Sequence, residues 1–98
     1  MSTYVFKLIS IKAYNMIEVV NMYSPMLDPV KVGSVIAGFR KRKNLPQEVL
    51  SGLAGIGRSH LSAIERGERK PTLETFYRIC NALDVKMSVV ISEIEKEI

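Results

Sequence analysis

QEVLSGLAGIGRSHLSAIERG, residues 47–67, is spaced for two short helices joined by a tight turn. Leu50, Ala54, Ile56, Leu61 and Ile64 fall where two crossing helices share a small core. Gly55 stands at the turn between them. Two helices closed at a steep angle over three or four residues need a residue that adopts positive φ, and glycine does so without steric cost. Ser51 is small where the first helix would come nearest the second, so a large side chain there would push the pair apart.

The flanking residues extend the helical pattern. Asp28-Pro29 is a helix start: a carboxylate to cap the first turn and a proline whose missing N–H costs nothing there. Val32, Val35, Ile36 and Phe39 recur at three and four residues and predict one apolar face running to about Lys43. Asn44-Leu45-Pro46 breaks that helix. The next begins at Pro46 or Gln47. Gly52 weakens it by roughly 1 kcal/mol relative to alanine. The second helix of the pair should run from about Gly57 to Arg66 and stop at Gly67. Thr72 then caps a fourth helix whose buried face is expected to be Leu73, Phe76, Ile79, Cys80 and Leu83. After Asp84 the pattern is ambiguous. Val85, Met87, Val89 and Ile91 alternate like a strand, whereas Met87, Val90, Ile91, Ile94 and Ile98 recur like a helix; the charged SEIEKEI ending favours helix. The sequence thus predicts an all-α fold of five helices.

Ninety-eight residues allow one domain. The net charge of +4 is unevenly placed. Residues 1–30 sum to zero, residues 31–70 carry nine basic against three acidic residues, and residues 71–98 sum to −2. The positive charge therefore gathers on the segment holding the helix pair, as a surface facing phosphates requires. One cysteine excludes an internal disulfide framework and fits a reducing cytoplasm. Cys80 sits at core spacing, which predicts packing and not reactivity. One histidine excludes a metal site built from several imidazoles. With no nucleophile–base pair and no glycine-rich phosphate loop, an enzyme is the least supported class, and no cofactor is expected. No apolar run reaches the length of a membrane span. The N-terminal apolar stretch is interrupted by Lys7 and Lys12, which argues against a secretory signal.

Ala54-Gly55-Ile56-Gly57-Arg58-Ser59, Leu61-Ser62, Ile64-Glu65-Arg66-Gly67 and Pro71-Thr72-Leu73-Glu74-Thr75 resemble the helix-turn-helix of the Cro/phage-repressor, or xenobiotic-response-element, family. The likeness runs from about Val32 to Met87. It implies a compact, lambda-repressor-like domain of five helices that binds double-stranded DNA through the major groove. Pro46 departs from the family's usual serine or threonine cap, a loss of up to about 1 kcal/mol.

On the second motif helix Leu61 and Ile64 must face the core. Arg58, Ser59, Ser62, Ala63 and Arg66 are then left to solvent or DNA, with His60 at the edge of that surface. The resemblance places Arg58, Ser59 and Ala63 where bases are met. A guanidinium at Arg58 can donate two bonds to guanine, worth roughly 1–3 kcal/mol of discrimination, or can clamp a phosphate instead. Ala63 can offer thymine only a methyl contact. The resemblance sets Gln47 against a phosphate, at a helix N-terminus whose dipole favours anions. Arg66, Arg69 and Lys70 are expected to hold backbone without reading sequence. The resemblance also pairs Arg40 with Glu65, which makes Glu65 structural.

The expected division is 1–27, an N-terminal extension, and 28–98, the DNA-binding domain. YVFKLISIKAY near the start is rich in β-branched and aromatic residues. Three readings stand for the extension: a dimerising strand or arm, a partner-binding segment, or sequence upstream of the true start, since Met16, Met22 and Met26 each offer a later initiation point. The leading functional expectation is a cytoplasmic transcriptional regulator acting as a homodimer on a two-fold-related operator. The alternative is the antitoxin of a two-component operon, holding a toxin protein through a terminal segment.

Overall fold

The computed structural model describes residues 26–96. Five α-helices account for the regular structure of those residues: α1 Pro29–Arg42, α2 Gln47–Ala54, α3 Arg58–Glu65, α4 Leu73–Ala82 and α5 Met87–Lys96. The all-helical expectation holds, and the ambiguous last segment is helical. Its two fully packed residues, Val90 and Ile94, are four apart, a spacing that puts them on one face of a helix. The readings of residues 1–25 lie outside the described residues.

Two helices start as anticipated. Asp28 accepts a hydrogen bond from the Val30 amide at 2.9 Å, with Pro29 in the first turn of α1. Thr72 accepts from the Thr75 amide at 3.0 Å at the head of α4. Pro46 gives α2 no side-chain cap. Lys41 and Arg42 lie in the last turn of α1, where positive charge offsets the exposed carbonyls, and Arg42 stacks on Phe39 at 4.5 Å.

Helices α1 to α4 all stop by the same device. A residue in the left-handed region follows each of them: Asn44 (φ 55°), Gly55 (69°), Gly67 (78°) and Asp84 (56°). The next amide then reaches back five residues to a carbonyl of the last turn: Leu45 to Arg40 (3.1 Å), Ile56 to Ser51 (3.0 Å), Glu68 to Ala63 (2.9 Å) and Val85 to Cys80 (3.0 Å). Leu45, Ile56 and Val85 also pack on the core, the apolar contact that commonly accompanies this stop. Gly55 was legible as such a turn. Asn44 and Asp84 serve because a short polar side chain tolerates the left-handed region better than other non-glycine residues.

Helix α1 packs on α3 and α5, α2 on α3 and α4, and α4 on α5. The centre is Ile36, Leu50, Leu61, Ile64, Ile79, Leu83 and Val90, each at most 1% exposed. Cys80 is buried beside them, and desolvation pushes its thiol up to about 11, so it is a packing residue at neutral pH. Leu73 departs from expectation. It is 74% exposed, because as the first residue of α4 it stands at the lip of the core and not over it. There it borders an apolar groove with Leu27, Phe76 and Ile91.

Candidate nucleic-acid interface

Helix α3 is held from behind by Leu61 and Ile64, both fully buried. Its remaining face meets the start of α2 at a shallow cleft of about 270 Å³, lined by Gln47, Arg58, Ser59, Ser62 and Arg66. Five of the residues singled out from the sequence therefore share one surface. Arg58 and Ser59 open α3 behind the Gly57 cap and are exposed, with no side-chain hydrogen bond or ion pair to fix them among the described residues. His60 is half-buried at the margin.

Ala63 departs from the expected exposure: it is only 9% exposed, although it stands four residues after Ser59 and so shares that helix face. Its carbonyl accepts from the Glu68 amide at 2.9 Å and the Arg69 amide at 3.3 Å, which folds the loop after α3 back onto the helix end. Arg69 is exposed on that loop. Lys70 is exposed as well, but it borders the apolar groove and not the cleft, with Nζ 3.9 Å from the Met26 sulfur.

The expected Arg40 and Glu65 contact forms, and it is bidentate. Arg40 Nε donates to Glu65 Oε2 at 2.7 Å, and its Nη2 donates to Oε1 at 2.9 Å. The two side chains are 12% and 6% exposed. Arg40 Nη1 also donates to the Leu45 carbonyl at 2.9 Å, tying the end of α1 to the turn before α2. Its hydrogen bonds to the Glu65 carboxylate hold the Arg40 guanidinium above its ordinary value, so it stays charged in spite of burial.

Three features of the site were not read from the sequence. Gln47 Nε2 donates to Glu65 Oε1 at 3.0 Å, so the amide lining the cleft is also a member of the Arg40–Glu65 network. Gly33 lets α1 approach α3: a Cβ there would lie 2.1 Å from the Ile64 carbonyl oxygen. A glycine inside an otherwise regular helix was the available signal, since it usually has a packing reason. Finally, Arg66 donates to Glu68 from Nε at 3.0 Å and from Nη2 at 2.8 Å, while its Nη1 donates to Ser62 Oγ. Glu68 is two residues beyond Arg66 in a loop, and no helical spacing announces that contact.

A family model described as helix-turn-helix matches residues 36–90. A protein named an uncharacterized HTH-type transcriptional regulator, from Sinorhizobium fredii, is 43% identical over 54 residues, spanning 55% of this chain and 70% of that protein. The immunity repressor protein of Bacillus phage phi105 is 36% identical over 62 residues, spanning 63% of this chain and 43% of the repressor. Among solved structures, the restriction-modification controller protein C.AhdI from Aeromonas hydrophila superposes with a TM-score of 0.64 at 34% identity, over 66% of this chain and 98% of that one.

Proposed function

Because the chain belongs to the Cro/phage-repressor family of helix-turn-helix proteins, we propose that it is a sequence-specific DNA-binding transcriptional regulator whose helix α3 enters the major groove. The carrying observation is the cleft shared by Gln47, Arg58, Ser59, Ser62 and Arg66. It joins the head of one helix to the outer face of the next, the arrangement in which a duplex backbone meets the first helix while the second reaches base edges. Arg58 is the reading residue, because it is exposed at the N-terminal end of α3 and its donors are uncommitted among the described residues. Ser59 and Ser62 are polar contacts beside it, with His60 at the margin. Gln47 and Arg69 are backbone contacts. The protein acts in the cytoplasm and represses from a two-fold-related operator.

The test is binding to DNA from immediately upstream of its own gene, titrated over salt beside a scrambled duplex. The expected result is preference for the native duplex and steep weakening with salt. Arg58→Ala should narrow that preference by roughly 1–3 kcal/mol while leaving the salt slope nearly unchanged. Equal, weak binding to both duplexes would overturn the regulator reading at that site. A lower salt slope without loss of preference would make Arg58 a phosphate clamp.

A homodimer accompanies this reading, since a helix of eight residues reads few base pairs and two copies double the site. The surface that supports it is the exposed apolar rim of α4 and α5, where Leu73 is 74%, Tyr77 51% and Ile91 39% exposed. Leu73→Glu should leave the fold of one copy intact and weaken dimerisation at least about tenfold, as loss of a buried apolar anchor does. Sedimentation velocity measures it, and an unchanged dimer would rule this rim out as the interface.

A further inference from the structure

Glu68 is an anion on a surface otherwise suited to phosphates, and its contacts explain what it does there. An arginine meets a phosphate best through a paired edge, two parallel N–H donors. In this protein that edge of Arg66 is occupied: Nε and Nη2 both donate to the Glu68 carboxylate, at 3.0 and 2.8 Å. The third nitrogen, Nη1, donates to Ser62 on the same cleft. Both partners are more than half exposed, 54% and 59%, so solvent and a DNA backbone can reach them. An exposed pair of this kind adds little to fold stability. Its consequence is electrostatic: Arg66 and Glu68 together present no net charge to a duplex, although Arg66 lines the basic cleft.

Resting on the DNA-binding reading above, we propose that Glu68 is an intramolecular competitor of DNA phosphate for Arg66 and thereby holds down sequence-independent affinity. Arg66 can offer its paired Nε and Nη2 edge to a phosphate only by giving up the carboxylate. The hydrogen bond from Arg66 keeps the Glu68 carboxyl below the usual carboxylate range, so the competitor is ionised throughout the neutral range. Phosphate contacts carry no sequence information, so a freed Arg66 would strengthen binding to any duplex.

The prediction needs no knowledge of the operator. On a duplex of arbitrary sequence, Glu68→Gln should bind roughly three- to tenfold more tightly at 0.1 M salt, and the slope of log K against log salt should steepen by about one. The side chain is exposed, so an unchanged melting midpoint checks that the fold is retained. The rival cause of such a gain is the field of one fewer negative charge, which does not depend on Arg66, and the double variant separates the two. The gain should vanish when Glu68→Gln is made on Arg66→Gln, since the freed guanidinium is then missing. A gain that persists without Arg66, no gain, or a loss overturns the competitor role. Wild-type protein without salt-dependent binding to any duplex would instead overturn the DNA-binding reading itself, and the same titration reports it.

Discussion

Replacing Glu65 by alanine is expected to destabilise the protein by about 3–5 kcal/mol, the range seen when one partner of a buried ion pair is removed. The cause is what the substitution leaves behind. Arg40 would keep its charge with its side chain 12% exposed and two of its three nitrogens without their acceptor. The Gln47 amide would lose its acceptor as well. Small domains are stable by only about 5–15 kcal/mol, so a loss of this size lowers the melting midpoint by on the order of 15 °C or more. Thermal unfolding at low and high salt checks it, and the loss should persist at high salt because buried charges are poorly screened. Arg40→Met with Glu65→Leu should be less damaging than Glu65→Ala, since no buried charge is then stranded. It should still fall short of wild type, because the Leu45 carbonyl and the Gln47 amide lose their partner. An unchanged midpoint for Glu65→Ala would show that the pair carries no stability.

Gly33→Ala is the second large effect. Helices α1 and α3 approach so closely there that the added methyl carbon would stand 2.1 Å from the Ile64 carbonyl oxygen and 2.7 Å from that of Glu65. Both obstacles are backbone, so no rotamer change relieves them. The last turn of α3 must move away, and with it the Ile64, Glu65 and Arg66 side chains. Overpacking a close contact typically costs 1–3 kcal/mol and occasionally more, and a rigid backbone obstacle puts this site at or above about 3 kcal/mol. The intrinsic helix preference for alanine returns only about 1 kcal/mol. Gly52→Ala is the matched control: nothing lies within 4 Å of its added carbon, so it should stabilise by about 0.5–1 kcal/mol. Urea unfolding of the two variants side by side measures the contrast. Equal effects would mean that the α1–α3 approach is not tight in solution. Where Gly33→Ala still folds, DNA binding should fall with it, because a shifted α3 carries Ser62 and Arg66 out of line with Gln47.

These two sites differ in how much of them could be read in advance. The Arg40–Glu65 pair was legible only through resemblance. Twenty-five positions separate its members, and neither periodicity nor charge count joins them. Gly33 left a trace, a glycine where the helical pattern ran on, but the trace does not say which partner comes close. Ala63 is less exposed than its spacing implied. Its position puts it on the face of Ser59, yet it is only 9% exposed. A periodicity of 3.6 residues separates faces but leaves the flanks of an eight-residue helix undecided. The Glu68 and Arg69 amides fold the following loop back onto the Ala63 carbonyl, a contact that no spacing announces. Leu73 was misplaced for a related reason: spacing assigned it to the buried face, while its place at the helix end leaves it uncovered.

By itself the sequence determined the first four helices, their order and their stops, because these depend on interactions within a few residues: the apolar spacing of Val32 to Phe39, the caps at Asp28 and Thr72, the glycine turns at Gly55 and Gly67. It also determined the family and the outward placing of Arg58, Ser59 and Ser62, since burial of Leu61 and Ile64 leaves a helix no other way to face. Only the tertiary structure decided that Gln47 leans on Glu65, that Gly33 admits the backbone of α3, and that Glu68 takes up Arg66. Each of those depends on where a side chain ends in space relative to a group brought near by packing or by an irregular loop. Helix-forming and capping interactions repeat at fixed intervals along the chain; these contacts do not, and they arise only when the core has set the distances between helices.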